Sequence, residues 1–190
     1  MYRLLLIILT ALTYTFTVSA QTYHGTRVHT WYNDIPISMY LPEEYFSSIQ
    51  YYPVLYLLHG TGENEESWFK NGNAEQIFDQ LIGNGGMRKM IIVMPYSSGV
   101  TDGSYENSFK DLMSFIERNF RVHKGKRYHA IAGLSLGGFY AMHISHRFYN
   151  KFDYVGIFSA IYTTDKMSIF KKDSTALFGI SQTSPMIYKN

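Results

Sequence analysis

A doubly wound α/β domain with a mostly parallel sheet is the fold class this sequence predicts, and three features predict it. Short, continuously apolar runs at residues 53–58 (PVLYLL), 90–94 (MIIVM) and 154–158 (YVGIF) read as strands covered on both faces. Helical patterns separate them, as a parallel sheet with crossover helices requires. A turn rich in small residues, Gly133-Leu134-Ser135-Leu136-Gly137, then joins an apolar run to a helical one.

In chain order, residues 1–20 carry Arg3, an apolar run over 4–16 and the small residues Val18-Ser19-Ala20. This is the pattern of a secretory signal peptide, and it falls short of the ~20 apolar residues of a membrane span. Residues 21–190 are then expected to form one exported domain. Residues 27–32 and 35–40 alternate around Asn33-Asp34 and predict an antiparallel hairpin at a sheet edge. The strand at 53–58 ends in His59-Gly60. A helix over 74–82 stops at Gly83-Asn84-Gly85-Gly86, and the strand at 90–94 is closed by Pro95. Residues 105–120 form the clearest amphipathic helix, with Phe109, Leu112, Met113, Ile116 and Phe120 on one stripe. A strand at 128–132 enters the serine turn, a helix follows over 139–146, and the last strand is 154–158. Chemistry in such sheets sits at the carboxyl ends of strands. His59-Gly60, residues 96–98, Ser135 and Ser159 are therefore expected to converge on one cleft.

Composition narrows the classes of function. At 46% hydrophobic and 17% charged the chain is globular, and a net charge of +2 gives no footing for nucleic acid or an anionic membrane surface. Absence of cysteine excludes disulfides, thiolate catalysis and cysteine-bound zinc. His143 and His146 lie three apart on a helix, but no third ligand stands at suitable spacing, so they read as solvated or packed and no metal or cofactor is expected. The 17 tyrosines read mainly as packing residues.

Ser135 carries the chemistry. A serine held on a strained strand-to-helix turn presents its hydroxyl at a helix N-terminus, where amide N–H groups favour a developing oxyanion. Leu136 N–H is one expected donor. The loop His59-Gly60-Thr61-Gly62 supplies the second: Thr61 N–H, with Gly60 or Gly62 as alternatives. His59 reads as a tie for that loop. Of the acidic run Glu63, Glu65 and Glu66, at most one braces the loop, and Trp68 either lines the cleft or packs beneath it. A serine needs a histidine base and a carboxylate behind it, in the order Ser, Asp or Glu, His. The carboxylates after Ser135 are Asp153, Asp165 and Asp173, the first two too early in the strand order. His143 and His146 sit on the helix that leaves the serine. The triad acid and histidine are accordingly expected to be absent from this chain.

Four segments in order, residues 59–68 (HGTGENEESW), 92–95 (IVMP), Tyr105-Glu106 and 132–138 (AGLSLGG), resemble the putative-esterase family. The likeness is to its carbohydrate esterase family 1 type: feruloyl and acetyl-xylan esterases, with enterochelin esterase and esterase D relatives. It covers roughly residues 35–160. It implies an α/β-hydrolase fold, metal-free serine hydrolysis of a small ester or acylated carbohydrate, Ser135 as nucleophile, and Thr61 with Leu136 at the oxyanion positions. In that family the acid lies in a Gly-x-x-Asp-like segment and the base in a Gly-Gly-His-like one, and neither follows Ser135 here. The sheet is thus expected to lack its last strands, with an unpaired edge after the sixth, and residues 167–190 correspond to a stretch that often caps the cleft. The expected function is an exported serine esterase working through an acyl-enzyme. An acyltransferase on the same fold is one alternative, and a non-catalytic remnant that at most binds a carbohydrate ester is another.

Overall fold

Asn33 and Asp34 both have positive φ, 45° and 61°, and close a two-residue turn between strands β1 (Thr26–Tyr32) and β2 (Ile35–Leu41). Left-handed backbone at both central positions is the type I′ turn, whose twist matches an antiparallel hairpin, and Asn and Asp tolerate it better than other side chains. The structure, a computed structural model, describes residues 22–97 and 103–160 and the backbone of a strand at Met186–Lys189. The expected leader at 1–20, Ser98, Asp165, Asp173 and most of the 167–190 stretch lie outside the described residues.

From the hairpin the sheet continues through β4 (Ile91–Pro95), β3 (Val54–Leu58), β5 (His129–Leu134) and β6 (Tyr154–Phe158). β2 pairs antiparallel with β4, and the next three pairings are all parallel. The carboxyl ends of β3, β4, β5 and β6 therefore share one edge, as the apolar runs predict. The expected bare flank of β6 is not found. Met186–Lys189 (β7) runs antiparallel along it, with Met186 opposite Ile157 and Lys189 opposite Tyr154, so the sheet has seven strands. An open row of N–H and C=O groups beside a buried strand invites pairing, and a segment of the same chain supplies it.

Side-chain alternation sorts the core into two layers. Ile37, Met39, Val54, Tyr56, Leu58, Ile91, Val93 and Ile131 face one side, under α3 (Ser104–Asn119) and α4 (Leu136–Arg147). Tyr40, Leu57, Ile92, Met94 and Ala132 face the other, under the single turn α1 (Ser67–Lys70) and α2 (Ala74–Gly83). The parallel part is narrower than the apolar runs predict: three of the six pairings are antiparallel, so the sheet is mixed with a parallel centre, and helices on both of its faces make the domain doubly wound. The α3 stripe is as the period predicts, with Phe109, Leu112, Met113 and Ile116 buried and Phe120 packed at the margin. On the second face Asp79 of α2 accepts the Tyr40 hydroxyl at 2.7 Å and the Gly25 amide at 2.8 Å, tying the start of the described chain to the sheet.

His129 opens β5 and is 2% exposed, with its Nε2 3.7 Å from Glu117 Oε1. Burial disfavours the imidazolium and holds its pKa below the ordinary 6.5, although Glu117 pulls the other way. Below about pH 6.5 the unfolded chain binds a proton that the folded one refuses, so this residue costs stability as pH falls and contributes nothing to pH dependence above that value. The urea midpoint is expected to drop between pH 7 and pH 5.5. His129→Gln should flatten that drop, and equal slopes in both proteins would remove His129 as its cause.

Candidate active site

Ser135 stands between β5 and α4 with φ 53° and ψ −114°, outside the conformations a non-glycine residue adopts freely. Such a conformation costs on the order of 1–3 kcal/mol and persists only where its surroundings impose it. They do. The Ser135 N–H donates to Phe158 O at 2.8 Å, and its C=O accepts from Phe139 N–H at 3.0 Å. A Cβ on Gly133 would lie 2.2 Å from the Gly137 carbonyl, and one on Gly137 would lie 2.4 Å from Leu58 O and 2.5 Å from His59 O. The first turn of α4 is thus pressed, backbone on backbone, between the ends of β5 and β3. Leu136 N–H, at the first position of α4, has no protein acceptor among the described residues, as expected of a helix N-terminus.

Beside this turn, Gly60 to Glu63 form a β-turn closed by Glu63 N–H on Gly60 O at 3.3 Å, with Gly62 at φ 76°. Positive φ at the third position is the type II arrangement that calls for glycine. A Cβ on Gly60 would be 3.6 Å from Leu134 O, so the loop adjoins the serine turn. Gly60 N–H is taken by Glu63 Oε2 at 2.8 Å, which removes Gly60 from the three candidate donors. Thr61 and Gly62, both exposed, keep unbonded N–H groups among the described residues.

His59 is 2% exposed and fully engaged. Its Nδ1 donates to Gly60 O at 2.8 Å, since a carbonyl can only accept, and its Nε2 accepts Ser97 N–H at 3.0 Å. These bonds fix the neutral tautomer with its proton on Nδ1 and tie the loop after β3 to the residue beyond β4. The sequence marks the Ser97 region as a strand end but gives no sign that its amide is the partner of His59. The acidic run divides among three tasks. Glu63 braces the loop, Glu65 Oε1 lies 3.4 Å from His29 Nε2, and Glu66 pairs with Lys70. Trp68, half-buried in α1, packs against the core cluster on the second face of the sheet.

The remaining histidines lie elsewhere. His143 and His146 are on α4, and eight residues of helix put His143 about 12 Å along the axis from Ser135. His143 Nδ1 is 3.9 Å from Glu106 Oε1, and its ring packs on Phe139. His129 is at the opposite end of β5, His123 stacks on Tyr128, and His24 is 3.6 Å from Asp79. Asp153 precedes β6 at that opposite end too, bonding Lys126 O and His129 O through its amide and pairing with Lys126 at 3.1 Å. Among the described residues no group of three metal-ligating side chains occurs.

Comparisons with known proteins bear on this arrangement. The family model described as "Putative esterase" matches residues 29–185. A Xylanibacter ruminicola protein named endo-1,4-beta-xylanase/feruloyl esterase is 36% identical over 137 residues, covering 64% of this chain and 19% of its own length. An esterase of Mycobacterium tuberculosis is 32% identical over 130 residues, 61% of this chain and 27% of that one. Among solved structures, a ferulic acid esterase superposes with a TM-score of 0.66 at 28% identity, over 73% of this chain and 60% of that chain. The feruloyl esterase module of Clostridium thermocellum gives a TM-score of 0.69 at 22% identity, over 78% and 60%, and so bears on the fold alone. The chain spans about a fifth of the first relative and three fifths of these solved chains.

Two substitutions test the geometry. Gly137→Ala drives a methyl group into two backbone carbonyls that cannot rotate away, and should lower stability by about 2 kcal/mol or more in urea titration. His59→Ala leaves Gly60 O and Ser97 N–H without their side-chain partner, and should cost about 1–3 kcal/mol. Amide hydrogen exchange at Ser97 should accelerate in that variant; unchanged exchange would mean the bond to His59 is not made.

Proposed function

The chain belongs to the putative esterase family, and from that premise we propose that it is a serine esterase whose nucleophile is Ser135. The observation that carries the reading is the strained serine at the α4 N-terminus, held at φ 53° beside a loop with unspent amides. In this reading Ser135 Oγ attacks an ester carbonyl, and Leu136 and Thr61 N–H groups hold the oxyanion of the tetrahedral intermediate. The alcohol leaves, an acyl-enzyme remains, and water resolves it. Each donor of this kind contributes roughly 3 kcal/mol to the transition state. The acyl group is proposed to come from a decorated carbohydrate. Support comes from the 36% identical relative named as a xylanase/feruloyl esterase and from the ferulic acid esterase structure at 28% identity. Residues 21–190 would form one hydrolase domain. Export rests on the leader pattern at 1–20, and no described helix is long and apolar enough to cross a membrane.

A second reading concerns turnover by these 190 residues. Both ring nitrogens of His59 are engaged, and no other described histidine stands against the serine, so a non-catalytic chain that at most binds an acylated carbohydrate is favoured over an acyltransferase. With its base missing, a triad loses roughly 10⁴-fold or more in kcat. Methyl ferulate hydrolysis by the 190-residue chain is therefore expected to be at least about 10⁴-fold slower than by the Clostridium thermocellum module, and Ser135→Ala, which takes away a nucleophile already without its base, should change that residual rate little. Full-rate turnover lost in Ser135→Ala would retire the non-catalytic reading. Full-rate turnover untouched by Ser135→Ala would retire Ser135 as nucleophile.

A further inference from the structure

We propose that Glu63 is a positioning residue for the oxyanion hole: it clasps Gly60 so that the Gly60–Thr61 peptide turns its N–H toward the reacting carbonyl. The proposal rests on Ser135 being the nucleophile. Glu63 touches Gly60 twice, its carboxylate Oε2 accepting Gly60 N–H at 2.8 Å and its own N–H donating to Gly60 O at 3.3 Å. That same carbonyl accepts the proton of the buried His59 Nδ1 at 2.8 Å. In a trans peptide the C=O and the following N–H point in opposite directions. With Gly60 O held toward the buried imidazole, Thr61 N–H must point away from it, to the exposed side of the loop. Gly60 N–H, which could otherwise compete for a substrate oxygen, is occupied.

A carboxylate is a costly choice so close to a forming oxyanion, because like charges repel. Its bond to Gly60 N–H therefore has to hold the turn in a way that outweighs the charge. A neutral acceptor of the same length should serve as well. A shorter acid, which keeps the charge but withdraws the acceptor, should not. Length and hydrogen-bond acceptance, not charge, are what the geometry requires of position 63.

The test uses the full chain and a neutral p-nitrophenyl phosphonate ester. Ser135 Oγ bonds to phosphorus, the bond to p-nitrophenolate breaks, and the hydroxyl proton goes to solvent; intact mass confirms the single adduct. The phosphoryl oxygen takes the oxyanion's place, so the limiting labelling rate reports the donors. Losing one donor outright costs 10²–10³-fold. Glu63→Ala and Glu63→Asp are therefore expected to label about 10–100-fold more slowly, with the half-saturating concentration changed less than about 2-fold. Glu63→Gln should stay within about 3-fold of the wild type. Labelling of Glu63→Ala or Glu63→Asp at the wild-type rate overturns the proposal, and so does a Glu63→Gln as slow as Glu63→Ala. If the wild type is not labelled at all, the missing base accounts for it, and amide exchange at Gly60 decides the clasp by itself. Slow exchange in wild type and Glu63→Gln with fast exchange in Glu63→Asp supports it; equal exchange in all three overturns it.

Discussion

The contact on which the rest of this site depends is backbone against backbone, where the first turn of α4 lies on the carbonyls of Leu58 and His59. No side chain fits there, since a Cβ on Gly137 would sit 2.4 Å from one carbonyl and 2.5 Å from the other. Because the helix starts this close to β3, the residue before it is caught between two fixed objects, the end of β5 and the start of α4. Ser135 takes up the resulting bend, with φ 53°. The close approach also brings the loop after β3 alongside the serine, because Leu58 and Gly133 are direct partners in the parallel ladder. One steric condition at Gly133 and Gly137 thus sets the position of the hydroxyl, puts Leu136 N–H at the open start of the helix and brings the Thr61 loop near.

His59 extends that order sideways. Its two ring nitrogens bridge Gly60 O and Ser97 N–H, so the segments beyond β3 and β4 are fixed relative to each other. A buried imidazole bonded as donor on one side and acceptor on the other is satisfied only when neutral, which suits a frame better than a proton shuttle. The histidine nearest the serine turn in the fold is therefore committed to structure. Glu63 does the same for the far side of the loop, and the unbonded amides are those left over once these two side chains have taken theirs.

Much of this was legible in the sequence, and what was not has identifiable causes. β6 was readable to the residue, because YVGIF is an unbroken apolar run bounded by Asp153 and Ser159, and its central Val155, Gly156 and Ile157 are buried. The α3 stripe was readable because five apolar residues recur at helical spacing. The start of α4 was placed at Phe139, three residues late, because Gly137-Gly138 looks like a helix breaker when its actual duty is to let the helix approach the sheet. β7 escaped because four residues, MIYK, are too few to show a period, and its partner β6 lies nearly thirty residues away. The serine turn and the glycine loop were visible as patterns. The bond from Glu63 to Gly60 was not, since nothing in a run of three glutamates says which one turns inward.

The identity of residue 135 carries one more step. A turn required only to join β5 to α4 would be served best by glycine, which adopts positive φ without penalty, whereas serine there costs about 1–3 kcal/mol. Packing does not repay it, because the side chain is partly exposed at the strand end instead of filling the core. Nor does the side chain cap the helix, as Ser135 makes no capping hydrogen bond to α4. Gly133 and Gly137 on either side show that this chain uses glycine where the backbone demands it. A serine kept at the most strained position of a turn so supplied with glycines is explained by its hydroxyl, and that hydroxyl stands where a helix N-terminus and an adjoining loop present unspent amides.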